Sequence, residues 1–202
     1  MFIALEGIDG SGKSTQITML KDYLESRGRS VYLTREPSDL SIGKTIRRYL
    51  TGELKADNRV IAALFVADRL EHILDDREGL LRIKESGKDI ICDRYYFSSY
   101  AYQSVDMPME WIINANSEAA ALLKPDATVF IDISPQKAMA RINANRESAE
   151  LFETEERLAA TRDKYYEAFE KLHDSEKVII VDGDGTPDEV HKRVVDAVAE
   201  LL

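Results

Sequence analysis

Near the start of the chain, Gly7-Ile8-Asp9-Gly10-Ser11-Gly12-Lys13-Ser14-Thr15 sets three glycines and a lysine ahead of paired hydroxyls. Gly7 to Ser14 fits the pattern GxxxxGK followed by Ser or Thr. It also stands where that pattern requires, between an apolar strand (1–6) and a helical periodicity that begins at Ser14. The chemistry is the cradling of a polyphosphate. Gly10 and Gly12 let the backbone curl with its N–H groups turned inward. The new helix adds free N-terminal N–H groups and the positive end of its dipole. Lys13 brings a full charge to the β- and γ-phosphates, and the Ser14 hydroxyl is placed for Mg²⁺ with Thr15 beside it. Residues 7–15 are thus expected to form a nucleoside-triphosphate site. A second Gly-Lys-Thr at 43–45 is a decoy: Ser38 stands where the first glycine is needed and Pro37 where a strand should end, so Lys44 reads as a helix-surface residue.

A cation for the transferred group is the next requirement. The apolar run 89–93 ends in Asp93-Arg94-Tyr95. In doubly wound sheets ligands lie beyond the C-terminal strand ends, so Arg94 is expected beside the loop. Asp93 would hold Mg²⁺ or orient Arg94, the alternative being a plain strand-end salt bridge. Phe65 and Arg69 are four apart and share a helix face. A ring and a guanidinium so placed suit a base, stacked and read at its edge; the alternative is that Phe65 is simply core.

The elements that must position these groups follow from periodicity. Strands are expected at 1–6, 30–34, 89–93, 127–133 and 177–183, and helices follow Ser14, Ile42 and Asp188. Residues 57–84 read as one long helix, or two joined near 75–79, and 109–123 as one helix. Two further helices flank the polar segment 143–150. Apolar strands alternating with helices indicate an α/β protein with a parallel sheet. The expected fold is the P-loop NTPase type: five parallel strands wrapped by helices on both faces, in a single domain (1–202) with a small helical lid at about 141–153.

Composition sets limits. The net charge of −10 argues against a nucleic acid polymer as partner. No apolar run approaches a membrane span, and the N-terminus lacks a signal pattern. Cys92 is the only cysteine, so no internal disulfide forms, and His72, His173 and His191 have no metal-ligand spacing. A cytoplasmic location is expected. No Asn-Lys-x-Asp guanine-reading segment is present.

The segments "FIALEGIDGSGKSTQ", "TREP", "ADR" after Phe65, "DRY" and "SSYAYQ", in this order and spacing, resemble the thymidylate kinases. The likeness is specific from the first residues to about Gln103 and looser beyond. It implies transfer of the γ-phosphoryl group of ATP to dTMP, giving dTDP and ADP with Mg²⁺, by a homodimer. Carried over by position, Phe65 stacks on thymine and Arg69 donates to its O4. Ser99 and Gln103 line the base pocket, and Tyr102 crowds the sugar C2′. Asp9 meets the 3′-hydroxyl end, and Arg94 bridges the dTMP phosphate and the transferred group. Glu36 joins the acceptor site, and Arg47, with Arg48 as rival, is the further cation near the monophosphate. No loop position from 7 to 15 carries arginine, so the resemblance is to members whose lid supplies it: Arg146 first, Arg141 second. Many bacterial members follow "TREP" with Gly-Gly-Thr. This chain has Ser38-Asp39-Leu40, so Asp39 is expected to point away from a monophosphate or to meet Mg²⁺. Competing readings are a kinase for another small acceptor and a nucleotide-dependent switch without one.

Overall fold

The computed structural model describes residues 1–144 and 154–202. Its centre is a five-stranded sheet: β1 (Phe2–Glu6), β2 (Val31–Arg35), β3 (Asp89–Asp93), β4 (Ala127–Asp132) and β5 (Val178–Asp182). Their order is β2-β3-β1-β4-β5, and every pairing is parallel. The register of β1 on β3 sets Leu5 against Asp93. The loop after β1 and the turn after β3 therefore leave the sheet side by side.

Ten helices stand among the described residues: α1 (Lys13–Ser26), α2 (Ser41–Leu50), α3 (Asn58–Leu74), α4 (Leu80–Glu85), α5 (Tyr96–Tyr102), α6 (Met109–Ala115), α7 (Ser117–Leu122), α8 (Pro135–Ala144), α9 (Glu155–Leu172) and α10 (Pro187–Val198). The two-residue period of the strands divides the core in two. Ile3, Leu5, Ile91, Val129 and Ile131 face Leu20 and Leu24 of α1 and Val190, Val194 and Val198 of α10. Phe2, Ala4, Ile90, Cys92 and Phe130 face α3, α5 and α9. On that second side Phe130 meets Tyr165 at 4.8 Å between ring centres and Phe97 meets Phe169 at 5.2 Å. Buried rings of this size contribute about 1.5–3 kcal/mol each, and these anchor α9 beneath the strand ends. Tyr95 and Tyr96 belong to this core, whereas Trp111 on α6 is 45% exposed.

Three sequence expectations are refined. The span 57–84 is two helices, because Asp75 Oδ1 accepts from the backbone N–H groups of Arg77 and Glu78 (both 2.8 Å) and turns the chain. The single helix expected over 109–123 is interrupted at Asn116, whose backbone sits at φ −94°, ψ 0°. Its buried side chain bonds to Arg69 in another helix, a contact that helical periodicity does not register. Finally, β1, β3 and β4 are covered on both faces, but the edge strands β2 and β5 are not, and Ile180 is 49% exposed.

Gly43, in α2, lies against the turn at Ser38: a Cβ there would stand 2.0 Å from the Ser38 carbonyl oxygen and 2.6 Å from its nitrogen. Backbone cannot give way as a side chain can. Gly43→Ala is expected to cost about 2–3 kcal/mol, read as a lowered midpoint in thermal or urea unfolding. A wild-type midpoint would contradict this packing.

Candidate active site

The loop 7–12 leaves β1 and enters α1, whose first residue is Lys13. Gly10 has φ +78°, and a Cβ there would stand 2.5 Å from the Ala138 carbonyl oxygen, so loop and α8 touch backbone to backbone. Lys13 is buried, and its Nζ donates to the carbonyl oxygens of Gly7 (3.0 Å) and Ile8 (3.2 Å). Burial, then the nearby charge of Arg94, lowers its pKa to about 8. A cavity of about 580 Å³ opens over this loop. Asp9 to Gln16 line it along one side, with Asp93, Arg94, Arg141 and the start of α10 on the other. Gly7 and Ile8 stand behind it and serve through their carbonyls.

A hydroxyl and a carboxylate of kinds that suit a cation line this cavity. Ser14 is exposed and lines it, and Asp93 Oδ1 has no hydrogen-bond partner among the described residues. One carboxylate and one hydroxyl are what a Mg²⁺ ion needs when phosphates and waters complete its shell. No cluster of three His, Cys, Asp or Glu side chains suited to a metal occurs among the described residues.

A second cavity, of about 330 Å³, lies beyond Asp9. Phe65, Arg69, Ser99, Tyr102, Gln103 and Glu36 line it, and Asp9 and Arg94 line both cavities. Arg94 adopts φ +65°, a conformation costing about 1–3 kcal/mol for a residue with a Cβ. Surrounding bonds hold it. Its backbone N–H donates to Leu5, and its guanidinium donates to Gly7 O (3.0 Å), Ser98 Oγ (3.1 Å), Asp9 Oδ1 (2.5 Å) and Tyr102 Oη (3.0 Å). Tyr102 in turn donates to Asp9 Oδ2 at 2.9 Å. Burial would raise the Asp9 carboxyl, but the charges of Arg94 and Lys13 outweigh it and hold it below its ordinary value. Behind Arg94, the fully buried Glu6 accepts from Tyr95 N, Ser98 N, Ser98 Oγ and Tyr165 Oη.

Arg69 is 1% exposed. Its Nε and Nη2 reach Glu36 Oε2 at 2.8 and 2.6 Å, and Nη2 also donates to Ser99 Oγ. The other Glu36 oxygen faces His72 Nδ1 at 3.2 Å, and His72 Nε2 meets Thr34 Oγ1 at 2.7 Å. The Ser38-Asp39-Leu40 turn has its own logic. Ser38 N–H and Oγ donate to buried Asp68, while Asp39 accepts from Arg35 and Arg47. Arg47 is thereby held at the Pro37 carbonyl and Asp39 and does not line the second cavity; Arg48 pairs with Glu53. Arg141 borders the first cavity, donating to Ser11 O and Gly183 O. Arg146 lies outside the described residues.

Several lining groups escaped sequence reasoning. Asn58, Asp106 and Arg157 join α3, the turn after α5 and the start of α9 at the rim of the second cavity. There Asp106 Oδ2 accepts from Arg157 (2.8 Å) and Asn58 (3.1 Å). The three are scattered along the sequence and form no motif.

The thymidylate kinase family model matches residues 5–194. The chain belongs to the thymidylate kinase family. A probable thymidylate kinase of Thermococcus kodakarensis is 36% identical over all of this chain and 98% of its own length. One of Methanocaldococcus jannaschii is 35% identical over 96% and 94%, and a thymidylate kinase of Solidesulfovibrio magneticus is 34% identical over all of both chains. As a thymidylate kinase family member the chain is a nucleoside monophosphate kinase, a phosphotransferase. No described helix is long and apolar enough to cross a membrane.

The lowered Lys13 pKa has two opposite consequences. If Lys13 serves ATP as the sequence suggests, kcat/KM for ATP is expected to fall as pH rises through about 8, where the ammonium is lost. Stability behaves otherwise: between about 8 and the ordinary 10.5 the unfolded chain binds more protons at this group than the native one, so its contribution to stability rises with pH. A pH profile of kcat/KM that stays flat to pH 10 would show that Lys13 keeps its charge.

Proposed function

We propose that this dTMP kinase seats ATP in the cavity over residues 9–16 and dTMP in the cavity of Phe65, with their phosphates meeting at Asp9 and Arg94. The supporting observation is that these two residues border both cavities. Backbone N–H groups from Asp9 to Thr15 and the Lys13 ammonium take the ATP phosphates, and Gly7 and Ile8 hold Lys13 through their carbonyls. Arg94 spans the acceptor phosphate and the moving γ-phosphoryl group. Asp9, which anchors Arg94, takes the 3′-hydroxyl end of the acceptor. Phe65 stacks on the pyrimidine, Arg69 addresses its carbonyl edge, and Ser99 and Gln103 complete the pocket. Tyr102 sits at the sugar. Glu36 acts by holding Arg69, and Arg47 by shaping the Pro37 turn near the acceptor.

The acceptor phosphate is already an anion at neutral pH, so no general base is needed, and catalysis is in-line placement with cationic stabilisation. Ser14 and Asp93 would hold Mg²⁺, which when bound neutralises charge on the β- and γ-phosphates. A lid arginine, Arg146 or Arg141, adds charge and excludes water on closure. The chain acts as one unit over 1–202 with 141–153 as its lid, in a reducing cytoplasm, on small nucleotides rather than polymers. It does so as a homodimer, and the exposed Val60, Leu74 and Trp111 on α3 and α6 support that pairing. Sedimentation as a single species of 22.9 kDa at assay concentration would overturn the homodimer.

ADP release is the decisive assay, run with dTMP, dUMP, CMP, AMP and no acceptor. Turnover is expected with dTMP foremost and only background without acceptor. Lys13→Ala and Arg94→Ala are expected to keep native circular dichroism and lose about 10²-fold or more in kcat. Near-normal turnover in either variant, or equal rates with AMP, would refute the reading.

A further inference from the structure

Arg69 carries five N–H donors in one plane. Glu36 Oε2 takes the Nε hydrogen and stands in an ion pair 2.6 Å from Nη2, which donates to Ser99 Oγ. On the opposite side Nη1 donates to Asn116 Oδ1. Among the described residues one Nη1 hydrogen is left without an acceptor, on a guanidinium that lines the second cavity. The Tyr95 ring lies 5.3 Å from the guanidinium carbon. The group is thus clamped at both edges and supported on a face.

Asn116 is suited to that grip. It is fully buried and does not line the cavity. Its Nδ2 donates to the Ile112 carbonyl at 2.8 Å, which fixes which end of the amide faces Arg69. Turning the amide over would set oxygen against the Ile112 oxygen and an NH₂ against the guanidinium, two repulsive contacts in place of two bonds. The break between α6 and α7 falls at this residue. Its backbone N–H still donates to Ile112 and Ile113, and its carbonyl accepts from Ala120 as α7 begins.

We infer that Asn116 is a positioning residue for acceptor choice: it fixes the Arg69 guanidinium so that its remaining N–H meets a pyrimidine carbonyl and rejects an amino group at the same place. A neutral oxygen serves here because Glu36 already balances the guanidinium charge. The inference rests on the reading that this cavity takes a pyrimidine through Phe65 and Arg69.

The test compares kcat/KM for dTMP and for dCMP in Asn116→Ala, Asn116→Ser, Asn116→Asp, Arg69→Ala and the double variant Asn116→Ala/Arg69→Ala. Asn116→Ala is expected to narrow the dTMP-to-dCMP ratio about tenfold, the order of one hydrogen bond to a charged group, chiefly through KM for dTMP. KM for ATP should stay within about twofold, since Asn116 touches nothing on that side. In the Arg69→Ala background the same change should have no further effect on the ratio. Asn116→Ser keeps a residue that tolerates a helix break but is too short to grip Arg69, so it should match Asn116→Ala and carries the test if alanine prevents folding. Asn116→Asp keeps an oxygen opposite Nη1 but loses the Ile112 bond, so its ratio should stay nearer the parent's than those of Asn116→Ala and Asn116→Ser. An unchanged ratio in folded Asn116→Ser, or a shift that persists without Arg69, overturns the inference. An unchanged ratio in Arg69→Ala itself overturns the pyrimidine reading beneath it.

Discussion

The ion pair between Arg94 and Asp9 is the joint that holds the ends of β1 and β3 together where the two cavities meet. One partner is the first residue after β3 and the other lies in the loop after β1, and the two strands are neighbours in the sheet. Parallel pairing of Leu5 with Asp93 brings the two turns to the same height. The guanidinium then reaches Asp9, Tyr102, Ser98 and the Gly7 carbonyl at once. A cation held this firmly needs little reorganisation when charge develops beside it, which is where electrostatic catalysis gains most. The left-handed backbone at Arg94 is the local cost, and it is offset by the bonds that over-determine the residue.

Burying so many charges demands compensation, and the structure supplies it in pairs. Burial raises the Glu6 carboxyl, while hydrogen bonds from Ser98, Tyr95 and Tyr165 and the charge of Arg94 pull the other way. Glu36 is shared between Arg69 and His72, and Asp68 is capped by Ser38. Removing one member of a buried pair such as Arg69–Glu36 leaves an uncompensated charge, a loss of about 3–5 kcal/mol. These contacts tie the turn after β2 to α3 and match the charges in the wall of the second cavity.

Much of this was legible in the chain. The glycine spacing, Lys13 and Ser14 announce a phosphate cradle because their chemistry is local: loop, helix start and ligand contact lie within nine residues. The five strands and their parallel class follow from short apolar runs alternating with helices. Other features were not legible. Arg47 looked like a free cation, yet Asp39, only eight residues earlier, and the Pro37 carbonyl hold it outside the cavity. The helix expected over 109–123 breaks at Asn116, whose side chain meets Arg69 forty-seven positions away. The rim contacts among Asn58, Asp106 and Arg157 join three separate elements and leave no periodic trace.

By itself, then, the sequence determined the class of fold and, through five short segments in order, the family, and it marked residues 7–15 as the expected triphosphate cradle. These depend on interactions between residues close along the chain, which composition and spacing encode directly. Only the tertiary structure decided that Asp9 and Arg94 stand at the junction of two cavities, and which arginines line those cavities while others, such as Arg47, are drawn away. A guanidinium is satisfied by whichever oxygen the folded chain brings within about 3 Å. Strand order and helix packing, rather than position in the chain, choose that oxygen.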